Sequence, residues 1–73
     1  MARQMLELTI RRKGWKFAEV TAKADPKDAD ELRRVLVDAI QREGFDENRI
    51  DEFEMDVRYA GTRGKLLTYA ATS

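Results

Sequence analysis

The chain has 73 residues, with 14 Lys and Arg against 14 Asp and Glu, 42% apolar residues, no Cys and no His. A chain this short buries only about 60% of its unfolded surface, so residues 1–73 are expected to form a single domain with a marginal core that a partner would reinforce. The missing Cys and His exclude disulfides, thiolate nucleophiles, the usual structural zinc sites and the commonest general base, so the chain is not read as an enzyme and neither metal nor cofactor is expected.

The charged fraction is 38%, yet the apolar residues recur with a regular period, which predicts a folded chain rather than a disordered one. No apolar run approaches the ~18 residues of a membrane span and no leader pattern is present, so a cytoplasmic location is expected.

In chain order, Leu6, Leu8 and Ile10 alternate with Glu7, Thr9 and Arg11, the period of two of a half-buried strand over residues 4–11. A second strand over 15–23 follows a Gly14 turn and returns antiparallel. Two registers compete. With a three-residue Arg12-Lys13-Gly14 loop, Leu6 pairs with Val20 and Leu8 with Ala18, and Trp15 and Phe17 point to the other side beside Arg11 and Thr9. With a two-residue Lys13-Gly14 turn, Phe17 joins Ile10 in the core, but Glu19 is forced against Leu8 as a buried carboxylate. The first register is preferred.

Asp25-Pro26-Lys27-Asp28 predicts a helix start, with Asp25 as the cap, Pro26 in the first turn and Asp28 favoured by the helix dipole. Ala29, Leu32, Leu36, Ala39 and Ile40 recur at helical spacing, with Val35 and Val37 at the edges of the stripe. Gly44 is the expected left-handed stop and Phe45 its hydrophobic partner, which bounds the helix at 26–43. Phe45 to Asp51 reads as a polar connection. Phe53, Met55, Val57 and Tyr59 then alternate with Glu54, Asp56 and Arg58 in a strand over 53–60. After a Gly61–Gly64 turn comes a last strand over 65–71, facing inward through either Leu66, Thr68 and Ala70 or Leu67, Tyr69 and Ala71.

The order is ββαββ. It predicts an α+β fold, a two-layer sandwich with one helix on one face of a four-stranded antiparallel sheet. One helix covers one face only, so the second must be polar or covered by another molecule.

Charge is unevenly spread. Residues 1–23 hold six basic and two acidic side chains, residues 24–56 five and twelve, and residues 57–73 three and none. Both hairpins are therefore basic near their turns. The plainest explanation is that turns are solvated; the sharper one is an anion-binding edge with Trp15 available to stack. Two local motifs fail on inspection. The Asp46 segment has Asp51 where a calcium loop needs Gly and Val57 where it needs Glu, and Gly61-Thr62-Arg63-Gly64-Lys65 is too short between its glycines for a phosphate loop.

The expected function is a non-catalytic protein-interaction module, either a homo-oligomer or a regulator or inhibitor docking on a larger assembly through the open sheet face and the charged hairpin ends. Trp15, Phe17, Arg11, Arg12, Lys13, Lys16, Arg63 and Lys65 are its expected contact residues. The alternative is a nucleic-acid-binding module that uses the same basic ends with Trp15 as the stacking residue. The composition also fits small accessory proteins of phages and plasmids.

Overall fold

Alternating side chains form the four strands. The computed structural model describes residues 3–70 and places β1 at Gln4–Arg12, β2 at Trp15–Ala24, β3 at Phe53–Tyr59 and β4 at Leu67–Ala70. A helix, α1, spans Ala29–Arg42, and a short 3₁₀ helix at Glu47–Glu52 occupies what the sequence predicts as an irregular connection. The sheet is antiparallel throughout with order β2-β1-β3-β4, and one main helix packs on it, so the ββαββ expectation holds.

The core forms where the two amphipathic patterns meet. Leu6, Leu8 and Ile10 of β1 and Phe53, Met55 and Val57 of β3 face Leu32, Leu36, Ala39 and Ile40 of α1, with Ile50 of the 3₁₀ helix closing one end. β4 turns Leu67 and Tyr69 inward, because they pair with Val57 and Met55; the alternative face of Thr68 and Ala70 points out. Ala71 lies outside the described residues.

Both helix ends follow from backbone chemistry, but the start is three residues later than the sequence predicts. Asp28 is the cap: its carboxylate accepts from the Asp30 and Glu31 amides at 3.0 and 3.3 Å, an arrangement that contributes about 1 kcal/mol. Asp25 instead closes the preceding turn, accepting from the Lys27 amide at 2.9 Å on its side chain and from the Asp28 amide at 3.0 Å on its carbonyl. Ala29 is consequently the first helical residue and is exposed rather than part of the buried stripe. At the far end Gly44 adopts φ 92°, and the amides of Gly44 and Phe45 donate to the carbonyls of Gln41 and Ile40 at 3.0 Å each, the Schellman pattern that Gly44-Phe45 predicts.

The first hairpin departs from both predicted registers. Lys13 and Gly14 have φ 53° and 85°, the left-handed pair of a two-residue turn whose twist matches the strands. Arg12 then pairs with Trp15 and Arg11 with Lys16, but beyond them Ile10 pairs with Ala18, Leu8 with Val20 and Leu6 with Ala22. The register shift is a β-bulge, and Phe17 is the extra residue that has no partner of its own. The bulge removes the conflict built into the two-residue turn: Glu19 returns to the outer face opposite Thr9, while Phe17 still packs against the core. The preferred register, which pairs Leu6 with Val20, is therefore corrected by two positions. Its division of faces beyond residue 18 survives because the correction is even.

Candidate partner-binding surface

The tight turn at Lys13-Gly14 fixes the geometry of the first hairpin tip. Trp15 follows it in the ladder opposite Arg12, so its backbone is held while its side chain is 80% exposed. Directly paired residues of an antiparallel sheet share a face, which places Trp15 on the Arg12 side, at the tip of the sheet. That is the helix-bearing side, not the bare one. Phe17 is corrected more fully: it stacks edge-to-face on Phe45 and Phe53 with ring centroids 5.5 and 4.9 Å away, and Phe45 and Phe53 close the triangle at 5.3 Å. It packs half-buried against the core.

Behind the tip is a clasp that joins Arg12 to Arg49 and Glu52, two residues that the sequence places in an undifferentiated acidic connection. The Arg12 guanidinium lies 5.1 Å from the Phe45 centroid and 5.9 Å from that of Phe53, and Arg49 lies 5.2 Å from Phe45. Glu52 holds both cations, accepting from Arg12 at 2.7 Å and from Arg49 at 2.9 Å. Those hydrogen bonds, Arg49 first and Arg12 second, depress the Glu52 carboxyl from its ordinary 4.5 to about 2. The signal in the sequence is the spacing of Phe45, Ile50 and Phe53, apolar positions that a solvated loop would not need.

Because the folded value is below the unfolded one, the stabilisation from Glu52 is complete above about pH 4.5 and is lost as the pH falls towards 2. Urea unfolding of wild type and Glu52→Gln is therefore expected to differ clearly at pH 6 to 7 and to converge near pH 2. A gap that is constant with pH would mean that the carboxylate charge contributes nothing.

The bare face of the sheet carries neither Trp15 nor Phe17, nor any other aromatic among the described residues. Its positions are Met5, Glu7, Thr9 and Arg11 of β1, Lys16, Glu19, Thr21 and Lys23 of β2, Glu54, Asp56 and Arg58 of β3, and Thr68 and Ala70 of β4. Opposite charges interlock across the strands: Arg11 reaches Glu54 and Asp56 at 3.1 Å each, and Arg58 reaches Glu7 at 2.9 Å. The Thr68 hydroxyl donates to Asp56 at 2.9 Å and Lys65 stands 4.0 Å from the same carboxylate. The expectation that this face presents aromatic anchors is thus overturned, for a physical reason: the Phe17 bulge turns one aromatic inward and the two-residue turn carries the other to the tip.

The predicted basic residues are also dispersed. β1 and β3 are antiparallel neighbours, so the turn after β1 and the turn after β3 lie at opposite ends of the sheet and do not form one anionic-ligand edge. Arg11, Arg12, Lys16 and Lys65 each sit within 4.0 Å of a carboxylate, whereas Lys13 and Arg63 have no such neighbour among the described residues. What remains at this tip is Lys13 in the turn, Trp15 on the helix side and Lys16 on the bare side, beside an open concavity of about 460 Å³ lined by Lys13, Gly14, Asp51, Glu52, Phe53 and Glu54.

No family model, curated protein or solved structure matches this chain. Among the described residues no cluster of three or more acidic side chains is arranged to hold a metal ion, and no helix is long and apolar enough to cross a membrane.

Proposed function

We propose that this chain is a non-catalytic protein-interaction module whose contact surface is the tip of the first hairpin, with Trp15 as anchor and Lys13 and Lys16 as its flanking charges. The observation that supports this most directly is the 80% exposure of Trp15 just after a turn with two left-handed residues, a large apolar group presented on a backbone held by pairing with Arg12. Tryptophan in such a position gives contact area for little loss of side-chain freedom, and aromatic anchors of this kind dominate the energetics of protein interfaces. The partner would offer an apolar pocket rimmed by carboxylates. Apart from Lys16, the bare sheet face is not part of this surface: Arg11 is already paired with Glu54 and Asp56, and Arg58 with Glu7.

Trp15→Ala is expected to shift the unfolding free energy by no more than about 0.5 kcal/mol, because little of the side chain is packed. The same substitution should abolish capture of the partner that wild type retains, and partner binding should blue-shift the emission of this single tryptophan. Equal capture by Trp15→Ala and wild type would reject the tip as the anchor.

A nucleic-acid reading keeps one observation in its favour, the exposed indole with Lys13 and Lys16 beside it in sequence. It calls for oligonucleotides to quench Trp15 at low salt, with a log-log salt slope of about one unit per phosphate contact; unchanged fluorescence would eliminate it.

A further inference from the structure

We infer that the outer edge of β2 is a self-complementary surface that pairs antiparallel with β2 of a second copy of this chain, about a two-fold axis at Thr21. The inference shares with the hairpin-tip reading the premise that a second molecule completes this small domain, but it uses a different surface.

The two edges of the sheet are unequal. β4 has four described residues, while β2 runs for ten, and among the described residues its backbone forms hydrogen bonds only to β1. Alternate residues of such an edge direct N–H and C=O groups outward, a template for another strand. Val20 and Ala22 pack against the core but stay half-buried, whereas their partners Leu8 and Leu6 on β1 are 1% and 0% exposed. A strand added at this edge would finish their burial.

Charge selects both the occupant and the register. On the bare face β2 presents Glu19, Thr21 and Lys23, all exposed. In an antiparallel copy centred on Thr21, Glu19 lies opposite Lys23 of the second copy and Lys23 opposite its Glu19, while Val20 meets Ala22 and Ala18 meets Ala24 on the helix side. Sliding one register step either way while keeping the faces matched opposes one charge to Thr21 and leaves the other without its mate. A further step sets Glu19 on Glu19 or Lys23 on Lys23. One register alone therefore satisfies both charges, and it does so twice by symmetry. Lysine on an edge ordinarily discourages pairing; here the matching carboxylate stands four residues before it on the same face. Glu19 now lies 3.1 Å from Lys16, but both side chains are more than half exposed, so exchanging that pair costs little. The paired segment stops short of the tip, and Trp15 stays accessible at each end.

Charge reversal tests the register. Wild type, followed by sedimentation equilibrium from micromolar to millimolar concentration, is expected to approach twice the chain mass. Glu19→Lys and Lys23→Glu each place two like-charged pairs at the two-fold and should weaken the dimer by about tenfold or more. An equimolar mixture of the two single variants restores both attractions and should dimerise, as should the double variant E19K/K23E. A wild type that stays monomeric, single reversals that dimerise as well as wild type, or a mixture that stays monomeric would each overturn the inference. The recovered mixture also shows that the variants are folded. Partner capture by Trp15 measured on the Glu19→Lys background reads the tip separately, so either proposal can fail without the other.

Discussion

Phe53→Ala is expected to lower the unfolding free energy by about 3–5 kcal/mol, enough to remove most of the margin of a domain this size. The ring is 2% exposed and sits at the join of three elements: β3, the bulge of β2 at Phe17, and the segment after α1 at Phe45. Truncation leaves a cavity that the neighbours cannot refill, since Phe17 and Phe45 are held in edge-to-face contact with each other at 5.5 Å, and it also removes two aromatic pairs and the apolar floor beneath Arg12. Phe17→Ala should cost less because that side chain is only partly buried. Thermal or urea unfolding followed by circular dichroism ranks the two variants; a Phe53→Ala chain as stable as wild type would mean that the aromatic triangle is not the closure of the core.

The division into strands and helix was legible because each depends on local periodicity, and the amphipathic pattern is unbroken in β1, α1 and β3. What could not be read locally was decided by competition between local rules. Asp25 and Asp28 are both good helix caps; Asp28 wins because Asp25 and Pro26 are engaged in their own turn, and Glu31, three residues after Asp28, ties back to the Asp25 amide at 2.8 Å. The pattern Asp28-x-x-Glu31 was present in the sequence and would have favoured the later start. The bare face departs from the sequence pattern for another reason. A solitary helix does leave half of the sheet uncovered, but Arg11 and Arg58 join their charges to Glu54, Asp56 and Glu7 across it, so its centre is a polar lattice rather than an apolar surface. Alternation identified those residues as outward; only the pairing of β1 with β3 brought opposite charges opposite each other.

The largest effect of all is expected from removing one residue of β2 at the wrong place. Deleting Ala18 uses up the bulge: Phe17 takes the position opposite Ile10, Lys16 still meets Arg11, and every residue from Glu19 onward keeps its partner and its face. That variant is expected to fold with a modest loss. Deleting Thr21 offers no such escape. If the strand stays anchored at the turn, Lys23 moves to the inner position opposite Leu6; if it stays anchored at Ala24 and absorbs the bulge, Glu19 moves opposite Leu8. Either outcome forces an unpaired charge onto a face whose partners Leu6 and Leu8 are 0% and 1% exposed, at a cost of about 4 kcal/mol or more, and the chain should be unfolded at room temperature. Amide exchange on the two deletion variants measures the contrast. Protection in β1 retained without Ala18 and lost without Thr21 is the expected pair of results, whereas equal tolerance of both deletions would mean that the Phe17 bulge does not set which face of β2 meets the helix.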